Sequence, residues 1–207
     1  MSLFDQPEDK LGMTLAAFGT EYALGEYARA YWRAARTITD RGDLRREERP
    51  NYDCFPVAFL YRQALELAVK SLLVQYQNAT GIPTEDVLKR GHRLSQLIPY
   101  LRRLKAAFQM TFERVEAGRM TLAGLEQVLL EWDRYDANAE TFRYSMRKSG
   151  EPTLPADDFM IDLERFSATM DAALNFIFAV DGALFNELLR EWSGTDSHPG
   201  DAENDQR

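Results

Sequence analysis

Two side chains of this sequence could carry acid–base and phosphate chemistry, His92 and Arg143. An imidazole exchanges protons near neutral pH, and a guanidinium presents a planar fork of donors to a phosphate. Histidine is scarce, because His92 and His198 are the only two in 207 residues. His92 follows Gly91 and precedes an apolar helical pattern, so one interpretation is a capping or bundle-end histidine and the other is a ligand-binding or acid–base group.

Arg143 is followed directly by Tyr144, and this pair could bind a phosphate and stack against a base. The alternative is structural, with Arg143 paired to Glu140 or Asp136 and Tyr144 packed inside the protein. The structural interpretation is the commoner one for such a pair, and ligand binding is the hypothesis weighed against it.

Arg62, Glu66 and Lys70 lie four residues apart, which places them on one face of a helix with alternating charge. Opposite charges at this spacing pair along a helix surface. The pattern therefore predicts a structural line of salt bridges in preference to a catalytic group.

A basic segment between residues 89 and 105 contains no acidic residue. In an acidic protein, such a segment is a candidate surface for an anionic partner such as RNA or a nucleotide, and a solvated basic face is the alternative. Its cations are Lys89, Arg90, Arg93, Arg102, Arg103 and Lys105. Together with His92, Arg143 and Tyr144, the candidate binding residues are Arg93, Arg102, Arg103 and Lys105.

Four carboxylates between residues 131 and 140 invite a metal-site interpretation. They are Glu131, Asp133, Asp136 and Glu140. The inward Glu-x-x-His pattern of di-iron bundles is missing, so a solvated acidic face is expected and neither a metal nor a cofactor is predicted. Cys54 is the only cysteine, which excludes an intrachain disulfide and a multi-cysteine zinc site.

Composition restricts the class of protein. The formal net charge of −8 argues against a constitutive non-specific nucleic-acid binder, although a local basic patch could still bind. The polar, acidic N-terminus does not resemble a signal peptide, and no uninterrupted apolar run reaches membrane length. We therefore expect a cytoplasmic protein that does not contact a membrane.

Apolar residues recur at helical spacing along most of the chain, and no strand pattern is present. The expected fold is an all-α bundle of about five helices. Pro99 predicts a late start or a kink in the third helix. The predicted helices cover residues 14–39, 53–81, 94–117, 121–146 with a break, and 156–192. The predicted division is a flexible N-terminal arm (1–11), one bundle domain (12–192) and a disordered acidic tail (193–207).

Three motifs occur in a characteristic order: Ala64-Leu-Glu-Leu-Ala-Val-Lys-Ser-Leu-Leu73, His92-Arg-Leu-Ser-Gln-Leu97, and Phe142-Arg-Tyr144 before a loop and a long last helix. Over roughly residues 55–190 this order resembles the HEPN superfamily of prokaryotic helical domains. The resemblance implies a bundle of four to five helices and frequent homodimerisation. It also implies frequent links to nucleotidyltransferases, toxin–antitoxin pairs and phage defence.

Many catalytic members of that superfamily are metal-independent RNases whose motif is an arginine, four to six residues, and then a histidine. No arginine lies five to seven positions before His92 or His198. We therefore predict a non-catalytic binding or regulatory module. We expect it to form a homodimer, and it could also bind a separate protein partner. The alternative is a divergent metal-independent RNase that uses His92 with Arg143 or with a cation of the basic segment.

Overall fold

The computed structural model describes residues 23–40, 53–118, 120–154 and 160–194. The predicted N-terminal arm, the first part of the predicted first helix and most of the predicted acidic tail lie outside these residues. Within them the predicted all-α fold is confirmed, since no strand is present. The α-helices are α1 (Leu24–Thr39), α2 (Cys54–Gln75), α3 (Gln77–Thr80), α4 (Thr84–Leu88), α5 (Ile98–Ala107), α6 (Gln109–Glu116), α7 (Leu122–Asp136) and α8 (Leu163–Gly194).

The helices outnumber the predicted five because two predicted helices, 53–81 and 94–117, are interrupted, and because α4 lies in the segment between them, for which the sequence predicts a loop. The third predicted helix begins as a 3-10 turn at Leu94–Leu97, continues as α5 with Pro99 in its first turn, and breaks at Phe108. A proline in the first turn loses no helical hydrogen bond, so the expected late start is confirmed. Thr121 caps α7 by accepting the N–H of Gly124 at 3.1 Å.

Helix α2 lies at the centre of the fold, and 13 of its 22 residues are buried. Helix α1 packs closely along α2. A Cβ added at Gly25 of α1 would lie only 3.0 Å from the Ser71 hydroxyl of α2. This close approach explains why a glycine is accepted inside a helix where it costs about 1 kcal/mol relative to alanine. Helix α8 covers another side of α2, and its inward residues join the core.

Hydrogen bonds from one indole and two hydroxyl groups join α1 and α2 to α8. The Trp32 indole and the Tyr61 hydroxyl both donate to Asp171, at 2.6 and 2.8 Å. The Tyr76 hydroxyl donates to the carbonyl of Asp181 at 2.9 Å. Burial, followed by the nearby Asp171 carboxylate, raises the pKa of Tyr61 above its usual range, so this hydroxyl stays a donor. These bonds hold α8 in a fixed position against the central helix.

Helix α8 is long and apolar enough to cross a membrane by length and composition, with a mean hydropathy of 1.4 within Leu163–Arg190. The expectation that no uninterrupted apolar run reaches membrane length is not overturned by this helix, because Asp171 and Asp181 interrupt its apolar stretch. A core helix of a bundle meets the same criterion. Here Leu174, Ile177, Val180 and Leu184 are buried in the core that α8 shares with α2.

Candidate functional site

A groove with a volume of about 490 Å³ opens between the loop that carries His92 and the segment that follows α7. We call it the His92 groove. One wall is His92, and the other wall is formed by residues between 138 and 153. The lining residues of this second wall are Asn138, Glu140, Arg143, Tyr144, Met146, Arg147, Lys148 and Thr153.

The first wall is fixed to α2 through its backbone. Gly91 has φ = 63°, a conformation that glycine adopts without strain. The Lys70 ammonium donates to the Gly91 carbonyl at 2.9 Å, and the Arg62 guanidinium donates to the His92 carbonyl. Two buried cations of α2 therefore hold the loop that presents His92.

The His92 imidazole is half exposed and contacts a buried carboxylate. Its Nδ1 lies 3.2 Å from both carboxylate oxygens of Glu66. This contact orients the ring, and Nε2 forms no hydrogen bond with a described residue. The capping interpretation is wrong, because Asp133 of α7 instead accepts the N–H groups of Leu94 and Ser95, at 2.8 and 3.0 Å.

The predicted line of salt bridges on α2 is confirmed, but it is buried and not on the surface. Arg62 Nη1 lies 2.7 Å from one Glu66 oxygen and Lys70 Nζ lies 2.8 Å from the other. Burial acts to raise the pKa of Glu66, but the hydrogen bonds and charges of Lys70 and Arg62 outweigh it and lower that pKa. With Asp136, the buried cluster contains two cations and two carboxylates, so its charge is balanced.

Asp136 organises the second wall. Its Oδ1 accepts the N–H groups of Glu140 and Thr141 at 2.8 and 2.9 Å, and its Oδ2 lies 3.2 Å from Arg62 Nε. The turn that it holds contains Ala139 at φ = 58°, a conformation that is strained for a residue with a Cβ. Strained backbone of this kind persists where surrounding bonds enforce it.

The predicted acidic face between residues 131 and 140 is therefore only partly solvated. Glu131 and Glu140 are exposed as expected. For Asp136, which is buried, and for Asp133, which binds two backbone N–H groups, the expectation is wrong. Among the described residues, no group of three histidine, cysteine or acidic side chains is placed to hold a metal ion.

Arg143 and Tyr144 face the groove. The Arg143 guanidinium lies 5.5 Å from the Phe59 ring centre and 5.3 Å from the Tyr144 ring centre. Within the described part of the chain, no carboxylate lies within 4.0 Å of this guanidinium, and the Tyr144 side chain is 54% exposed. The structural interpretation of the pair, with an acidic partner for Arg143 and a core position for Tyr144, is therefore wrong.

Two further cations, Arg147 and Lys148, line the same wall. Both are exposed, and neither forms an ion pair with a described residue. With Arg143 they give the groove three positive side chains against one carboxylate, Glu140. This local excess of positive charge lies on a protein whose formal net charge is −8.

The basic segment between residues 89 and 105 contributes only His92 to the lining of the groove. Acidic partners from other parts of the sequence pair with three of its cations. Arg102 binds Glu126 through two hydrogen bonds of 2.8 and 2.6 Å, and Lys105 binds Glu116 at 2.7 Å. The remaining pair is Lys89 with Glu85, while Arg93 and Arg103 are exposed.

The sequence did not single out Arg147 or Lys148, although Arg143, Arg147 and Lys148 form a local cluster before Pro152. A cationic cluster in an acidic chain is a signal that could have found them. Asp136 could not have been found in this way, because its role depends on contact with Arg62, 74 residues away.

No protein-family model, curated protein or solved structure matches this chain.

Proposed function

We propose that the protein is a helical binding module for a phosphate-bearing ligand, RNA or a nucleotide, which it holds in the His92 groove. The observation that carries the proposal is the convergence of Arg143, Arg147 and Lys148 beside an exposed aromatic ring, Tyr144. Cations attract phosphates, and an exposed aromatic ring stacks with a base of any sequence. The formal net charge of −8 disfavours non-specific attraction of an anion to the protein as a whole.

Titration of the protein into a fluorescein-labelled oligoadenylate, followed by fluorescence anisotropy, tests this proposal. We expect saturable binding that weakens with salt, with a log–log slope of about −2 for three phosphate contacts to a single strand. Competition by unlabelled AMP distinguishes a mononucleotide site from one that needs a longer strand. Binding that is absent at low salt, or that does not respond to salt, would contradict the proposal.

A specific observation favours a second candidate, the divergent metal-independent RNase. A carboxylate orients the imidazole of His92, and Arg143 lines the same groove. A histidine held in this way can remove the proton of a ribose 2′-hydroxyl, whose oxygen then attacks the adjacent phosphorus. The 5′-oxygen leaves with a proton from solvent, so the products are a 2′,3′-cyclic phosphate and a 5′-hydroxyl. A guanidinium stabilises the charge that develops on the phosphate oxygens. The groove thus contains an imidazole and a guanidinium, although the chain lacks the arginine–histidine RNase motif of the HEPN superfamily that it resembles.

Cleavage of a labelled RNA in the presence of EDTA tests this second candidate. If the second candidate is right, the wild type cleaves RNA but not the corresponding DNA, and His92→Ala lowers the rate by roughly 100-fold or more. Arg103→Ala is the control, since Arg103 does not line the groove, and it should retain the wild-type rate. RNA that stays intact at high protein excess would contradict the RNase and would favour the non-catalytic binding module.

We also propose that the protein is a HEPN-like domain, that it forms a homodimer and that it is cytoplasmic. We further propose that it acts with a separate protein partner in defence or in a toxin–antitoxin pair. The all-α fold supports the HEPN-like assignment. Exposed apolar side chains near the end of α8 support the homodimer, because Phe185, Leu188 and Leu189 lie on one helix face at 53%, 36% and 43% exposure.

Sedimentation equilibrium tests the homodimer. We expect a dimer for the wild type and a monomer for Leu189→Glu, because a buried, unpaired carboxylate in an apolar interface is strongly unfavourable. Circular dichroism should show the same helix content for both proteins, since Leu189 is not part of the buried core. A wild type that sediments as a strict monomer at tens of micromolar would contradict this part of the proposal.

A further inference from the structure

Arg62 contacts both walls of the His92 groove from inside the protein, and it does not line the groove itself. We infer that Arg62 is a positioning residue that fixes the two walls relative to each other and so sets the shape of the binding site. The inference rests on the proposed function for its meaning, but the coupling of the walls can be measured without a ligand.

Arg62 contacts the first wall through the backbone of His92. Arg62 Nη2 donates to the carbonyl of His92, and Nη1 binds Glu66 at 2.7 Å. Glu66 in turn contacts Nδ1 of the imidazole. The guanidinium therefore acts on both the main chain and the side chain of His92.

The contact with the second wall is at the end of α7. Arg62 Nε lies 3.2 Å from the carbonyl oxygen of Asp136 and 3.2 Å from its Oδ2. The other carboxylate oxygen of Asp136 holds the N–H groups of Glu140 and Thr141, and so fixes the turn at Ala139. Arg143 follows directly on this turn, and its own N–H donates to the carbonyl of Glu140 at 3.1 Å.

An arginine suits this position and a lysine does not. A guanidinium presents five N–H donors in a rigid plane, and here they reach three elements of the fold at once. The Arg62 side chain is 1% exposed, so water cannot replace a partner that moves away. Lys70 provides the comparison, because its ammonium binds Glu66 and the carbonyl of Gly91 and thus contacts the first wall only.

Nuclear magnetic resonance of the histidine ring tests the coupling directly, because the chain has only two histidines and His198→Gln assigns the signals of His92. Asp136→Asn keeps an oxygen for the two N–H groups and removes the ion pair with Arg62. We expect it to shift the ring signals of His92, although Asp136 lies on the opposite wall. Asp181→Asn, which alters a carboxylate bonded to Tyr76, is the matched control and should leave those signals unchanged.

Affinity for the labelled oligoadenylate provides the second measurement. Arg62→Lys keeps the charge but cannot bridge the walls, and we expect it to weaken binding roughly tenfold, the equivalent of one charge-assisted hydrogen bond. Tyr61→Phe is the control for lost stability, since it removes a buried bond to Asp171 from the neighbouring residue. This control should bind as the wild type does at a temperature where circular dichroism shows all three proteins folded.

The two measurements separate the inference from the proposed function. Ring signals of His92 that coincide in Asp136→Asn and the wild type would overturn the inference. Where the wild type binds the probe, equal affinity of Arg62→Lys and Tyr61→Phe would also overturn it. A wild type that does not bind the probe would overturn the proposed function alone, because the ring signals would still report whether the walls are coupled.

Discussion

Removal of the Glu66 carboxylate in a Glu66→Ala variant is expected to lower the free energy of unfolding by about 4 kcal/mol, the typical cost of breaking a buried ion pair. Glu66 lies between Arg62 and Lys70, at 2.7 and 2.8 Å, and all three side chains are buried. Its loss leaves two cations inside the protein with one carboxylate, Asp136, which pairs with Arg62. Urea denaturation at neutral pH measures the effect.

Glu85→Ala is the matched control for this variant. Glu85 and Lys89 have the same four-residue spacing as Glu66 and Lys70, and their charged atoms are 2.6 Å apart. Their side chains are 78% and 75% exposed, so water screens the pair. We expect a change of at most about 0.5 kcal/mol, as for other exposed pairs along a helix. Equal losses in the two variants would contradict the claim that burial makes the Glu66 pair important.

The pH dependence of stability follows from the same contacts. Lys70 and Arg62 lower the pKa of Glu66 in the folded protein despite its burial. A carboxyl group with a lowered folded pKa stabilises the fold fully above its unfolded pKa, about 4.3, and this contribution is lost as the pH falls toward the folded value. The stability difference between the wild type and Glu66→Gln should therefore shrink below about pH 4. A difference that grows with acid would have the wrong sign.

Neutralising Arg147 and Lys148 together, as Arg147→Gln with Lys148→Gln, is expected to weaken oligoadenylate binding roughly 100-fold. Each lost charged contact with a phosphate costs about 1.5 kcal/mol, and every 1.4 kcal/mol is a factor of ten. The salt slope should also become shallower, because fewer counterions are released. Both side chains are exposed, so we expect the fold to be unaffected.

Arg102→Gln with Arg103→Gln is the matched control for this double variant. It removes the same two charges from the same acidic protein, but at the basic segment, where Arg102 already pairs with Glu126. We expect it to change the affinity by less than about threefold, the size of a long-range effect of net charge. A larger loss here than at Arg147 and Lys148 would move the binding site to the basic segment.

Local patterns were sufficient to predict the helical class and the pairing along α2. The spacing of Arg62, Glu66 and Lys70 depends only on the geometry of one helix, and Pro99 acts on its own turn. The break at Phe108 has no such local marker, since neither proline nor glycine is present there.

The candidate site depended on contacts that sequence spacing does not reveal. Asp133 binds the N–H groups of Leu94 and Ser95 from 39 and 38 residues away, so Asp133 and not His92 has the capping role. Arg102 similarly finds its acidic partner, Glu126, 24 residues further along the chain. Tertiary partners therefore decide which charges are free to bind a ligand. Arg102 and Lys105 of the basic segment are paired with carboxylates, whereas Arg143, Arg147 and Lys148 after α7 form no ion pair with a described residue.

The bonds from Asp171 to Trp32 and Tyr61 have a consequence for synthesis on the ribosome. They join residues 139 and 110 positions apart, whereas α1 and α2 are consecutive helices. The first two helices can thus associate early, but the surface of α2 that α8 covers stays open until the later part of the chain has emerged. Nascent chains that end before α8 should therefore be sensitive to protease and should be bound by chaperones.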